Sequence, residues 1–150
     1  MLINAKVKWE KQLTDDFLDG KYSRVHQWEF DGGMKFSASA SPEIVQIPMS
    51  DPAFVDPEEA FLASISSCHM LFFLSIAAKK NIIIEMYEDN PNAVLGKNEN
   101  GDMAILSIQL QPIISFSNTY TPDEKEIKNI HDLAHSNCFI ANSIKAKISY

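Results

Sequence analysis

An uncharged apolar run in the middle of the chain restricts the possible fold more than any other feature. It extends over 19 residues, from position 60 to 78, and is therefore long enough for a helix that crosses a membrane. The run also contains four serines, a histidine and a cysteine, which are costly to place in lipid. We interpret it as a helix buried on most sides within a soluble domain, and we expect no membrane association.

The residues on either side of this run define the ends of the helix. Asp56 is a capping residue, Pro57 suits the first turn, and Glu59 completes a capping box. Lys79 and Lys80 suit the negative end, and Asn81 suits the C-terminal cap. The pattern predicts a helix over residues 57–80. A second start signal at residues 121–124 predicts another helix that ends near residue 136.

The rest of the chain has the composition of strands and turns. Alternating or β-rich segments predict strands at residues 2–9, 22–30, 34–40, 82–89, 105–116 and 143–150, and Pro112 interrupts the long strand over 105–116. Turn signals lie at residues 31–33 and 98–101, and a loop with three prolines occupies residues 41–55. This order predicts an α+β fold, and the length of 150 residues predicts one domain over 1–150.

Charge and composition exclude several functions. The 13 basic and 20 acidic residues give a net charge of −7, which makes a nucleic-acid partner unfavourable. The first residues, MLINAKVKWEKQ, lack the apolar stretch of a secretory signal. We therefore expect a cytoplasmic protein whose two cysteines stay reduced unless they are used.

Cys68 lies in the middle of the predicted long helix, and Cys138 follows the second helix. Each is either a small buried apolar residue or a reactive thiol. A thiolate at the middle of a helix gains nothing from the helix dipole and needs a cation from elsewhere in the fold. Arg24 is the candidate, although an exposed arginine on an edge strand is the simpler interpretation. His26 would share the face of Arg24 on a strand.

Two other side chains near the thiol in sequence are less suited to contact it. His69 is turned by about 100° from Cys68 on a helix, and a hydrogen-bonded histidine in the core or an interface explains it better. Glu58 precedes Cys68 by ten residues, which is about 15 Å along a helix. A carboxylate that serves this thiol must come from a second copy of the chain or act through Arg24, so the hypothesis requires a dimer.

A metal site is an alternative use of the second thiol. His131, His135 and Cys138 fall at i, i+4 and i+7, one stripe of a helix, and Cys68 would complete a set of two cysteines and two histidines. The tight Cys-x-x-Cys spacing is absent, and HDLAH lacks the glutamate of a metalloprotease helix. Surface or packing histidines are therefore the simpler interpretation.

Three segments, taken in order, resemble the OsmC/Ohr family of bacterial thiol-dependent peroxidases, and more closely its OsmC-like branch. YSRVHQWEFDGG carries Arg24 before an Asp-Gly turn, DPEEAFLASISSCHMLFFL carries Glu58 and Cys68, and AHSNCFIANSI carries Cys138. The chain departs from the best-known branches at His26, at His69 and at Phe139, where a proline commonly follows the second cysteine. These departures affect the substrate range more than the chemistry.

The resemblance implies an OsmC-like fold, in which an antiparallel sheet surrounds a long buried central helix, and an intertwined homodimer. It implies that Cys68 reduces organic hydroperoxides, and in some members hydrogen peroxide, and becomes a sulfenic acid. Arg24 would stabilise the thiolate, Glu58 would orient Arg24, and Cys138 would resolve the sulfenic acid to a disulfide. An external dithiol, lipoyl-linked in the family, would restore the thiols without metal or flavin.

Two other functions fit the same residues. One is the metal-binding module with His131, His135 and Cys138. The other is a small-molecule-binding or structural dimer whose thiols are inert. Whether Arg24 or His26 lies closer to the Cys68 sulfur is open at this stage.

Overall fold

Three short strands near the start of the chain form an antiparallel sheet. They are β1 (Ala5–Lys8), β2 (His26–Phe30) and β3 (Lys35–Ala38), in the order β1-β2-β3. The predicted turn joins β2 to β3, and its Gly33 has a φ of +84°, which glycine adopts without steric cost. The computed structural model describes residues 1–150. The chain forms two compact units, and residues 1–61 are the first.

This first sheet differs from the sequence prediction in two details. The second strand begins only at His26, so Arg24 precedes the strand instead of lying on it. All four residues of β1 are exposed, although the alternation predicted one buried face. The apolar cluster of this sheet forms instead on β2 and β3, where Trp28, Phe30 and Phe36 pack with ring centroids 5.7–6.5 Å apart.

The long helix α1 (Pro57–Lys79) begins at the predicted residue and ends one residue before the predicted end. The Glu59 amide donates to the Asp56 carboxylate at 2.8 Å, and the Asp56 amide donates to the Glu59 carboxylate at 3.1 Å. This is the reciprocal capping box that the sequence predicts. At the other end Asn81 adopts a φ of +61°, and its amide and the next one bond back to the last turn. Such a left-handed residue ends the helix in a Schellman motif.

The second unit, residues 62–150, holds the rest of α1, the helix α2 and five strands. α2 is Glu124–Asn137, and the strands are β4 (Ile84–Asp89), β5 (Asn92–Lys97), β6 (Met103–Gln109), β7 (Pro112–Phe116) and β8 (Lys147–Ser149). β4 pairs antiparallel with β7, and β5 pairs antiparallel with β6. β8 joins the other edge of β6 in parallel. The α+β class with two helices is therefore confirmed.

The prediction of one long strand over residues 105–116, interrupted at Pro112, is wrong, because the chain forms two strands there in different sheets. β6 ends at Gln109, and β7 begins at Pro112. Between them the Gln111 amide donates to the Asp89 carboxylate at 2.6 Å. Since this amide bonds a side chain and proline has none to donate, the ladder is interrupted at this point.

One face of α1 carries the core of the second unit. Its buried residues are Ile65, Ser66, His69, Phe73 and Ala77. Phe73 and Ala77 join residues of α2 in a fully buried cluster with Ile82. Leu71, on another face, is 62% exposed. α1 is long and apolar enough to cross a membrane, but this criterion alone is weak, because the core helix of a globular protein also meets it.

Candidate active site

The two cysteines, 70 positions apart in sequence, meet in the second unit. Their Sγ atoms lie 2.6 Å apart, and both cysteines are free, with the Cys138 thiol as the donor to the Cys68 sulfur. Cys68 lies in the middle of α1 and is half-buried, whereas Cys138 is fully buried. The structure therefore brings together the pair that the resemblance assigns to peroxide reduction.

The local backbone fixes the Cys138 sulfur in place. Cys138 is the C-terminal cap of α2, and its amide donates to the carbonyls of Ala134 at 3.0 Å and His135 at 3.2 Å. A short 3₁₀ turn (Ala141–Ser143) follows, from which the Ala141 amide donates to the Cys138 sulfur at 3.4 Å. Both the end of the helix and the turn after it therefore hold this thiol against α1.

The surroundings keep Cys138 protonated. Burial, and then the hydrogen bond to Cys68, raise the pKa of the Cys138 thiol from 9.0 to about 11, while the Ala141 amide acts in the opposite direction. At neutral pH Cys138 is accordingly a thiol that can donate to Cys68. Cys68 is the acceptor of this hydrogen bond.

An open cleft of about 470 Å³ lies beside the Cys68 sulfur. Its walls combine apolar side chains with serines, namely Ser64, Ser67, Leu71, Phe72, Ser75, Phe139 and Ile140. The rings of Phe72 and Phe139 meet edge to face with centroids 5.3 Å apart. A cleft of this size and composition suits a small apolar molecule whose reactive end approaches the sulfur.

His69 and His131 form a second contact between α1 and α2. His69 Nε2 lies 2.9 Å from His131 Nδ1, and the two rings stack with centroids 5.2 Å apart. His69 is 1% exposed, and burial together with the neighbouring histidines lowers its pKa from 6.5 to about 4. Burial also lowers the pKa of His131. The prediction that His69 is a hydrogen-bonded core residue matches this arrangement.

The metal alternative has no support from the geometry. The side chain of His131 turns to α1, and the chain has left the helix at Cys138, whose sulfur meets Cys68 instead. His135 has a buried Nδ1 without a hydrogen-bond partner, and its ring lies 5.5 Å from that of Tyr150. No group of three or more His, Cys, Asp or Glu side chains is arranged to hold a metal ion.

The other predicted site residues belong to the first unit. The Arg24 guanidinium donates to the carbonyls of Gly20 and Tyr22 and lies over the Tyr22 ring, 3.4 Å from its centroid. His26 Nδ1 lies 2.8 Å from the Arg24 carbonyl oxygen. Glu58 lies in the first turn of α1 and is half-buried. Their roles at the thiol remain predictions.

Comparison with known proteins identifies the family. The sequence model of OsmC-like proteins matches residues 50–150. An OsmC-like protein of unknown function from Vibrio cholerae O1 biovar eltor is 49% identical, with a TM-score of 0.96 over 99% of this chain and 96% of that chain. No curated protein matches the chain.

Two more distant structures share the fold. An organic hydroperoxide resistance protein from Elizabethkingia anophelis is 17% identical, with a TM-score of 0.71 over 99% of this chain and 91% of that chain. The organic hydroperoxide resistance protein OhrB of Bacillus subtilis is 16% identical, with a TM-score of 0.61 over 99% and 98%. Because the family model covers more than half of the chain, and the Vibrio structure nearly all of it, this protein belongs to the OsmC-like family.

Proposed function

We propose that this protein is a thiol-dependent peroxidase that reduces organic hydroperoxides with Cys68 and Cys138. The observation that carries the proposal is the pair of free sulfurs, 2.6 Å apart, beside an apolar cleft. Membership of a family in which distant relatives are called organic hydroperoxide resistance proteins supports it. The half-buried Cys68 sulfur is the one that a substrate in the cleft would reach.

The first step oxidises Cys68. Its thiolate attacks the distal oxygen of the hydroperoxide, an S–O bond forms, and the O–O bond breaks. The alkoxide leaves and takes a proton to become an alcohol, and Cys68 becomes a sulfenic acid. The Cys138 thiol is aimed at the Cys68 sulfur and would stabilise negative charge there before the attack.

The second step forms the disulfide. The Cys138 sulfur attacks the Cys68 sulfur, the S–S bond forms, and the S–O bond breaks. The hydroxide that leaves combines with the proton of the Cys138 thiol and departs as water. Oxidation of Cys68 also removes the sulfur charge that helped to keep Cys138 protonated. An external dithiol then reduces the disulfide by exchange, and a lipoyl-linked dithiol is the predicted reductant.

The remaining site residues complete the proposal. Arg24 would stabilise the Cys68 thiolate, because its planar guanidinium can bind both a carboxylate and a peroxide oxygen. Glu58 lies too far from Cys68 along α1 to reach the thiol of its own helix, so it would either orient Arg24 or come from a second copy of the chain. We therefore propose a homodimer that works in the cytoplasm on a small hydroperoxide, without a resident cofactor.

Reaction with cumene hydroperoxide, followed by intact mass, tests the proposal. We expect the reduced protein to lose two hydrogen atoms as the disulfide forms. Cys68→Ser should leave the mass unchanged, whereas Cys138→Ser should turn over once and stop at a sulfenic acid that dimedone traps. Steady-state turnover with a dithiol should fall by at least about a thousandfold in Cys68→Ser.

Two outcomes would contradict these assignments. Equal residual activity in the two serine variants would reject the roles of attacking and resolving thiol. An unchanged mass of the parent protein would favour a dimer that binds a small molecule in the cleft without reacting with it.

A further inference from the structure

We propose that the His69–His131 pair is a positioning device that holds Cys138 against Cys68, and that protonation of this pair slows disulfide formation. The inference rests on the proposed peroxidase function and adds a regulation of its second step. It concerns two buried residues that take no part in the chemistry described above.

The pair joins the same two helices as the thiols. His69 follows Cys68 on α1, and His131 lies seven residues, about 10 Å, before Cys138 along α2. The 2.9 Å contact between the imidazoles therefore sets the position of α2 along α1 at a point two turns from the resolving sulfur. Phe73 packs on His131 with ring centroids 4.5 Å apart and supports the same position.

The hydrogen bond between the two rings depends on their charge, and the core accommodates only the neutral pair easily. It needs one nitrogen that donates and one that accepts, so two neutral imidazoles or a singly charged pair can form it. Two imidazolium rings cannot, because all their nitrogens are donors. The fully buried Phe73 packs on the His131 ring and belongs to the apolar cluster between α1 and α2, so even a single charge is costly there.

Charged and titratable groups from every packed element face the pair. β4 contributes Asp89, which accepts from Ser66 and from the Gln111 amide. α2 contributes His135 and Asp132, which accepts from Lys128 and from Tyr150. The rings of Tyr150 and Phe73 cover the imidazoles, and Tyr87 of β4 lies against Phe73.

Burial affects the pKa of both histidines more than the nearby carboxylates do. Asp89 acts to raise the pKa of His69, but burial and the two other histidines lower it to about 4. Burial likewise lowers the pKa of His131 against the effect of Asp132 and Asp89. The pair is therefore neutral at pH 7 and gains protons only under acidic conditions. We expect these protons to loosen the contact between α1 and α2 near Cys138.

Amide substitutions separate titration from hydrogen bonding. In His69→Gln the amide replaces Nε2, and in His131→Asn it replaces Nδ1, so the double variant keeps a donor and an acceptor but no titratable ring. His131→Ala removes the contact, and Asn129→Gln, at an exposed position of α2, is the matched control. The readouts are the rates of Cys68 oxidation and of disulfide closure after one equivalent of cumene hydroperoxide, between pH 4.5 and 8.

We expect His131→Ala to slow closure about tenfold at pH 7, so that dimedone traps more sulfenic acid, with Cys68 oxidation changed less than twofold. Between pH 7 and pH 4.5 the parent and Asn129→Gln should lose more closure rate than the double amide variant, with the difference appearing below about pH 5, because the pKa of His69 is about 4. Closure at the parent rate in His131→Ala, or the same pH profile in the parent and the amide variant, would overturn the proposal.

A second measurement does not depend on peroxide chemistry. Equilibrium of the Cys68–Cys138 disulfide with dithiothreitol gives the effective concentration of one thiol at the other. We expect this concentration to fall about tenfold in His131→Ala. In the parent it should also decrease as the pH is lowered, whereas in the amide variant it should not. If Cys68 does not react with hydroperoxide but these shifts occur, the proposed function fails and the positioning role stands. Unchanged effective concentrations would overturn the positioning role.

Discussion

Cys68 and His69 are consecutive residues of α1, and each contacts a residue that α2 carries. Cys68 is half-buried beside a cleft of about 470 Å³, and its contact is a thiol at the very end of α2. His69 is 1% exposed, and its contact is an imidazole two turns earlier. A rotation of about 100° between successive residues places the first side chain where a small molecule can reach it and the second in the core.

This difference suggests how the molecule separates reactivity from packing. The thiol side of α1 has a serine-lined apolar opening, which tolerates the movement that substrate entry and disulfide formation require. The imidazole side is closed by Phe73, Tyr150 and the buried residues of α2. Substitutions on the thiol side should therefore affect mainly the reaction with substrate, whereas substitutions on the imidazole side should affect stability and, through the position of Cys138, disulfide closure.

The largest difference is expected between Phe73 and Leu71. Phe73 is fully buried on the imidazole side, so Phe73→Ala should lower the free energy of unfolding by about 3–5 kcal/mol. Leu71 lines the cleft and is 62% exposed, so Leu71→Ala should cost less than about 0.5 kcal/mol in a single chain. Urea unfolding of the reduced protein at pH 7.5 measures both. If Leu71→Ala lowered the free energy of unfolding nearly as much as Phe73→Ala, a second chain would have to cover Leu71.

Acid should destabilise the imidazole side. Since folding lowers the pKa of His69 from 6.5 to about 4, the unfolded chain binds a proton that the folded chain excludes. Stability is full above about pH 6.5, falls as the pH decreases and levels off below about pH 4. We expect a loss of about 2 kcal/mol between pH 7.5 and pH 5 from this residue alone. Urea unfolding of His69→Gln should show a smaller loss, and equal losses in the two proteins would contradict this assignment.

Features fixed by a few neighbouring residues were predictable from the sequence. Asp56 with Glu59 at the start of α1, and Asn81 after its end, form the expected caps, because a cap depends only on residues within one turn. The interruption at Pro112 was predictable, but the separation into two sheets was not, since hydrophobic periodicity does not indicate which strands pair. β6 and β7 therefore entered different sheets although the sequence suggested one strand.

The site was predictable only in part for the same reason. The proximity of Cys68 and Cys138 came from a family resemblance, because no local pattern links residues 70 positions apart. The pairing of His69 with His131 had no such support, and the i, i+4 spacing of His131 and His135 suggested a metal instead. The sequence did predict a buried His69, and a buried histidine requires a hydrogen-bond partner, but the sequence does not identify that partner.

The smallest effect is expected at the cleft wall. Phe139 is 69% exposed and touches Phe72 edge to face, so Phe139→Ala should cost only about 0.5–1 kcal/mol of stability. Its apolar ring faces the space where a substrate would lie, so its loss should raise the apparent KM for cumene hydroperoxide by about fivefold, with kcat nearly unchanged. tert-Butyl hydroperoxide has less apolar surface and is the matched control, for which the increase should be smaller. If kcat instead fell in parallel for both substrates, Phe139 would help to position the Cys138 sulfur. The separation of the two sides of α1 would then be less complete than the burial pattern suggests.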